Sequence, residues 1–258
     1  MENKARHIVI SGTYSTGKTT TTTALSIATG IPMIDALSAR EILITLYPGR
    51  RFQDMSMTEL LALGLYRFKE RIKAETSLVI NKSDFISDGS VLNEWIYGTV
   101  RTKIGINPGA VWYQQFIKFF LGLNANRFMK KYLNGYGTVV NDYAKKSYTE
   151  IIHLPIEFDM DTDGHRPVSE KYRQLSNKEI FTAYKQLDIS MHIVGGTLEE
   201  RIDRIIKILN CPQIVNTKDA IRQANEVIIK SRETVSNKII EQYHKPTFIE
   251  KFKILSRF

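Results

Sequence analysis

The apolar positions of this chain fall into short unbroken runs separated by longer stretches of helical periodicity. Arg6 to Ser11, with Ile8, Val9 and Ile10 in sequence, reads as a buried strand. A glycine-bearing turn, Gly12 to Thr19, leads into a helix over Thr20 to Thr29 that Gly30 stops. Ile31 to Ile34 reads as a second strand ending at Asp35, and Leu37 to Leu46 as a helix broken by Pro48 and Gly49. Thr58 to Ala74 carries leucines and aromatic residues at helical spacing, and Asp84 to Ser87 is a third strand closing on Asp88. Helices follow from Val91 to Val100 and, heavily aromatic, from Val111 to Leu133. Tyr148 to Leu154 and Ser190 to Val194 are the fourth and fifth strands. Ser169 to Leu187, Thr197 to Leu209 and Lys218 to Tyr243 are the remaining helices, with a capping box expected at Thr197 and Glu200.

Short strands alternating with helices predict an α/β fold: a three-layer α/β/α arrangement around a five-stranded parallel sheet. Ligands of such sheets bind beyond the carboxyl ends of the strands. The Gly12 turn, Asp35 and Asp88 all stand at such ends.

A length of 258 residues suits one domain, 1–258. Within it, about 101–146 reads as a helical, basic insertion, about 159–173 as a lid, and about 211–258 as a helical extension. The 43% hydrophobic and 24% charged composition is that of an ordinary globular chain, and no apolar run approaches the length of a membrane span. The apolar stretch near the N-terminus is too short for a signal-peptide core. A single cysteine, Cys211, leaves no internal disulfide, and a reducing, cytoplasmic setting is expected. The five histidines show no metal-ligand spacing. Net charge is +9, and residues 101–146 carry most of it, with eight basic residues against Asp142 alone. Such a segment either attracts an anion, nucleic acid included, or is a solvated basic face.

The chemistry centres on Gly12-Thr13-Tyr14-Ser15-Thr16-Gly17-Lys18-Thr19, which matches G-x-x-x-x-G-K-S/T at every fixed position. Glycines let successive backbone N–H groups turn toward phosphate oxygens, and the helix that follows, from Thr20, adds its positive end. Lys18 brings a mobile cation to the β and γ phosphates of ATP (or GTP), and the Thr19 hydroxyl is a ligand for Mg2+. Asp88, at the end of a strand beside the loop, is expected to hold the same ion through water; capping the next helix is its alternative role.

Taken in order, these pieces resemble a P-loop kinase of the nucleoside and nucleotide type, and more narrowly the AAA-like ATPase family that includes the ribosylnicotinamide kinase domain. Ala39-Arg40-Glu41 resembles that family's Ala-Arg-Glu, and Ser87-Asp88-Gly89-Ser90 its Asp-Arg-Ser. His165-Arg166 with Tyr172-Arg173 resembles its arginine-bearing lid, and Gly195-Gly196-Thr197-Leu198-Glu199-Glu200-Arg201 its base loop. Gly89 stands where the family has arginine, and Leu37 where it often has glutamate.

The resemblance implies that Asp35 accepts the acceptor's proton, that Arg166 and Arg173 neutralise transition-state charge, and that Arg201 lies against the adenine. Arg40 could clamp an acceptor phosphate bidentately. In the aromatic helix, Trp112, Phe116, Phe119 and Leu123 share a face. That face is either core packing or a pocket that stacks a ring, with Gln114 or Gln115 hydrogen-bonding to it. The expected activity is a small-molecule kinase acting on a nucleoside, nucleotide or related metabolite. The alternatives are a polynucleotide 5′-hydroxyl kinase or nucleic-acid-binding ATPase, and a nucleotide-dependent regulatory switch.

Overall fold

The computed structural model describes residues 5–34, 36–50, 55–104, 123–159 and 169–242, with only the backbone at 57 and 123–126. Its centre is a parallel sheet of four strands, β1 (His7–Ser11), β2 (Phe85–Asp88), β3 (Glu150–His153) and β4 (Ser190–Ile193), in the order β2-β1-β3-β4. The five-strand expectation is therefore corrected to four. Ile31–Ile34 runs beside β2, with the Ile34 N–H donating to Ile86 O and the Ile86 N–H to Pro32 O, but it closes a single bridge, Met33 to Ile86. Pro32 has no N–H to extend the ladder, which is the physical limit on that strand.

The strand side chains divide between two helical layers, as period-two alternation demands. Ile8, Ile10, Ile86 and Ile152 pack with α1 (Lys18–Thr29), α7 (Leu198–Leu209) and α8 (Thr217–Gln242). Val9, Phe85 and Ile151 pack on the opposite face with α4 (Leu92–Ile104), α5 (Leu123–Ser147) and α6 (Glu170–Gln186). Because both faces are covered, the middle of β1 is apolar on both, and Ile8, Val9 and Ile10 have no exposure. α2 (Ala39–Leu46) and α3 (Met57–Ile80) join through a smaller cluster of Ile42, Leu43, Met55 and Leu63.

Local signals set the element ends. α1 begins at Gly17 and stops at Gly30, both in the left-handed region, and the Gly30 N–H donates to Ser26 O. The capping box at Thr197 and Glu200 is formed in both directions, and the same reciprocal bonds start α2 at Ser38 and Glu41 and α3 at Ser56 and Glu59. α5 does not stop at Leu133 but continues through Gly135 and Gly137 to Ser147. Gly137 is needed there, because a Cβ would sit 2.7 Å from the Trp95 ring. Among the described residues no helix is long and apolar enough to cross a membrane.

Candidate active site

At the carboxyl end of β1 the chain turns through the phosphate loop. Gly12 lies at φ 143°, and a Cβ there would meet Thr16 Oγ1 at 2.7 Å and Leu154 O at 2.9 Å, so only glycine lets the loop fold this tightly. Thr16 Oγ1 donates to Thr13 O at 3.0 Å, and Lys18 Nζ donates to the same carbonyl. The Thr19 hydroxyl donates to Asp88 Oδ2 at 2.6 Å. Parallel pairing of Ile10 with Asp88 brings the two together from 69 residues apart. Asp88 is not the cap of α4: Ser90 Oγ accepts from the Leu92 N–H, and Asn93 Oδ1 from the Ser90 N–H. Its carboxylate faces Thr19 instead.

A buried network from α3 holds Asp88 in place. Arg71 donates to Asp88 O at 2.9 Å, to Gly89 O at 3.2 Å and to Ser87 Oγ. Glu75, with no exposure, lies 3.9 Å from the Arg71 guanidinium and accepts from Tyr143, Tyr148 and Ser87 hydroxyls at 2.9, 3.0 and 3.3 Å. Burial pushes the Glu75 carboxyl up, against the pull of Arg71 and the hydroxyls. Sequence alone does not point to these two residues, since Arg71 and Glu75 look like an exposed i,i+4 pair. Their one signal is position, on a helix whose next strand ends in Asp88.

A cavity of about 910 Å3 opens from the loop. It is lined by Tyr14, Ser15, Thr16, Gly17, Lys18, Thr19 and Thr20 of the loop and the start of α1, and by Arg40, Arg67, Glu94, Tyr97, Arg101, Leu133 and Tyr136 of α2 to α5. The structure thus brings together the phosphate loop, Asp88 and Arg40. Tyr14 stacks on Tyr97 with ring centroids 4.6 Å apart, and both rings line the cavity. Arg67 is paired with Glu94. α8 also reaches the cavity, through Ile228, Ser231 and Arg232, so the extension beyond residue 211 borders the site.

Two arginines stand elsewhere than the sequence placed them. Arg173, expected in a lid, is 1% exposed and donates to Tyr14 O at 3.0 Å, Ser15 O at 3.4 Å and Phe158 O at 2.7 Å, with Glu170 at 3.3 Å. Arg201, expected against a base, is 2% exposed and donates to Thr16 O at 2.7 Å and to Glu157 at 2.6 Å, with its guanidinium 5.0 Å from the Phe158 ring centre. Both brace the backbone of the phosphate loop from below, because burial of an arginine demands acceptors and the loop carbonyls supply them. Asp35, Trp112, Gln115, Phe116 and Arg166 lie outside the described residues.

His153, at the end of β3, is 2% exposed and within 3.3 Å of Ser11 Oγ. Burial, and then the Lys18 charge, lowers its pKa to about 4. The unfolded imidazole titrates near ~6.5, so between these values the unfolded chain holds more protons than the native one. Stability is therefore full above about pH 6.5 and falls as pH drops toward 4, by about 3 kcal/mol in all. Urea unfolding of the wild type and His153→Asn between pH 4.5 and 7.5 checks this: the variant is expected to show the shallower dependence, and parallel curves would refute it.

The donor set at Thr19 and Asp88 is hard oxygen, one hydroxyl and one carboxylate, which suits Mg2+ completed by water and phosphate. Among the described residues no group of three or more His, Cys, Asp or Glu converges on a metal position. The sheet order, the loop and the Thr19–Asp88 contact define a P-loop nucleotide-binding protein. Residues 7–201 match the AAA domain family, and the chain belongs to that family. No curated protein matches it. Among solved structures it is similar to deoxyadenosine kinase from M. mycoides with bound dATP, at 18% identity and a TM-score of 0.57, covering 79% of this chain and 99% of that one. The same kinase with the products dCMP and dCDP aligns at 18% identity and a TM-score of 0.54, and with bound dCTP at 20% and 0.53. Both cover 79% of this chain and 98% of the other. At these identities the likeness is one of fold: a nucleoside-kinase-like P-loop architecture.

Proposed function

We propose that this protein is an ATP-dependent small-molecule kinase that transfers the γ-phosphoryl group to a nucleoside, nucleotide or related metabolite. The observation that carries the reading is the Thr19–Asp88 contact on a cavity whose lining extends from the phosphate loop to Arg67, Tyr97, Arg101 and Tyr136 of the neighbouring helices. A switch that only binds and releases nucleotide has no need of that additional space. The fold likeness to a deoxyadenosine kinase supports the same class of acceptor.

In this reading the loop N–H groups and Lys18 hold the β and γ phosphates of ATP (or GTP), with Lys18 leaving Thr13 O to do so. Thr19 and Asp88 hold Mg2+, which supplies neutralising charge when bound. Arg173 and Arg201 keep the loop carbonyls turned away from the phosphates. The acceptor lies between α3, α4 and α5, with Arg40 at its entrance. Its hydroxyl oxygen bonds to the γ phosphorus as the bond to the β-bridging oxygen breaks, ADP leaves, and the hydroxyl proton passes to a carboxylate, Asp88 or the sequence candidate Asp35. The sequence candidate Arg166 would add charge from the lid, and Trp112, Gln115 and Phe116 a further wall of the acceptor site.

The basic, exposed face of α5, with Arg127, Lys130, Lys131, Lys145 and Lys146, keeps a polynucleotide 5′-hydroxyl kinase as the second reading. ADP release measured against nucleosides, nucleoside monophosphates and 5′-hydroxyl oligonucleotides separates the two. Stimulation by a small acceptor is expected. Stimulation by oligonucleotides alone, falling steeply with salt, would transfer the reading to nucleic acid, and none at all would leave a switch.

A further inference from the structure

Arg101 is a cation on the wall of the cavity, set between α4 and the Tyr172 ring, that the interactions described so far do not use. α4 presents Asn93, Glu94, Tyr97, Gly98 and Arg101 to the cavity, the i, i+4, i+8 face of one helix. Glu94, two turns before Arg101, is paired with Arg67. Arg71 has its carbonyls and Glu75. Arg101 has Nε buried with no hydrogen-bond partner, and among the described residues no carboxylate pairs with it. Its guanidinium lies 6.0 Å from the centre of the Tyr172 ring, which itself tilts against Tyr14 and Tyr97 at 6.1 and 6.3 Å. The three rings make a low-dielectric wall, where Arg101 is met by the Tyr172 phenol and by the charge of Glu94, already paired with Arg67, and where an incoming anion is bound strongly.

We propose that Arg101 binds an anionic group, a carboxylate or a phosphate, carried by the acceptor at the end remote from the hydroxyl that is phosphorylated. This rests on the reading of the cavity as an acceptor site. The placement follows from α4: eight residues at 1.5 Å each set Arg101 about 12 Å along the helix from Asn93. Asn93 is at the transfer end, since a Cβ on Gly89 would meet its Oδ1 at 3.2 Å, next to Asp88. The anion and the reacting hydroxyl are thus at opposite ends of the bound molecule. A guanidinium suits this role because its fixed fork of donors meets two oxygens at once.

The test compares acceptors that differ only in the anion: orotidine against uridine, and adenosine 3′-monophosphate against adenosine. Each is measured as kcat/KM with wild type, R101Q and R101K. Wild type is expected to favour the charged member of a pair, and R101Q to lose about 10- to 100-fold of that preference, the value of charge-assisted hydrogen bonds. R101K is expected to keep part of it. Loss of folded protein lowers both members of a pair equally, so the ratio reports recognition alone. A preference that persists in R101Q, or a wild type that favours the uncharged member of both pairs, would overturn the proposal. If ATP binds and none of these acceptors is phosphorylated, the kinase reading fails, and thermal shift then decides Arg101 separately. A greater rise in Tm with adenosine 3′-monophosphate than with adenosine, lost in R101Q, upholds the anion site. No such difference, or one retained in R101Q, removes it.

Discussion

Lys18→Ala is expected to lower the rate of ATP-dependent phosphoryl transfer by about 10²- to 10³-fold, the usual effect of deleting one donor aimed at developing charge. The reason is electrostatic. Negative charge builds on the β–γ bridge as the phosphoryl group departs, and Lys18 is the flexible cation that the loop delivers to it. Its Nζ donates to Thr13 O and its side chain is only half-buried, so truncation opens no core cavity. The fold should therefore survive, and ADP release at saturating ATP and acceptor, read beside Tm, separates chemistry from stability. Activity within about threefold of wild type, with the same Tm, would show that this loop does not serve phosphoryl transfer.

The second large effect is on stability. Glu75→Ala is expected to cost about 3–5 kcal/mol in urea unfolding, because it strands the buried Arg71 guanidinium and three hydroxyl donors. The double variant Arg71→Met, Glu75→Leu removes both charges and is expected to regain much of that stability. It should not regain turnover, because the carbonyls of Asp88 and Gly89 have lost the arginine that fixes them. A cost below about 1 kcal/mol for Glu75→Ala would show that the pair contributes little, and full activity in the double variant would show that Asp88 is held by other means.

Features governed by neighbours in the chain are legible in the sequence. The phosphate loop is one, since glycine spacing and the following helix are local. The strand over residues 7–11 is another, since a run of β-branched residues flanked by a glycine turn has few other uses. The capping pattern expected at Thr197 also stands at Ser38–Glu41 and Ser56–Glu59, where it forms just as fully. The helix expected to end at Leu133 instead runs on through Gly135 and Gly137, and Gly137 serves the close approach of Trp95, a contact between residues far apart in the chain.

The sequence by itself determined a parallel α/β fold, a nucleotide-phosphate loop and an acidic residue at a strand end beside it. The loop and the acidic residue follow from patterns over fewer than about ten residues, the range over which backbone propensity and hydrogen bonding act, and the fold class from the alternation of such local segments along the chain. Tertiary structure alone decided that Arg173 and Arg201 lie beneath the loop, that Arg71 and Glu75 hold Asp88 from within the core, and that α8 borders the cavity. The same charged residue on a helix can face water, a carbonyl or a ligand. Which it meets depends on what packs across from it, and that partner is set by contacts between residues far apart in the chain.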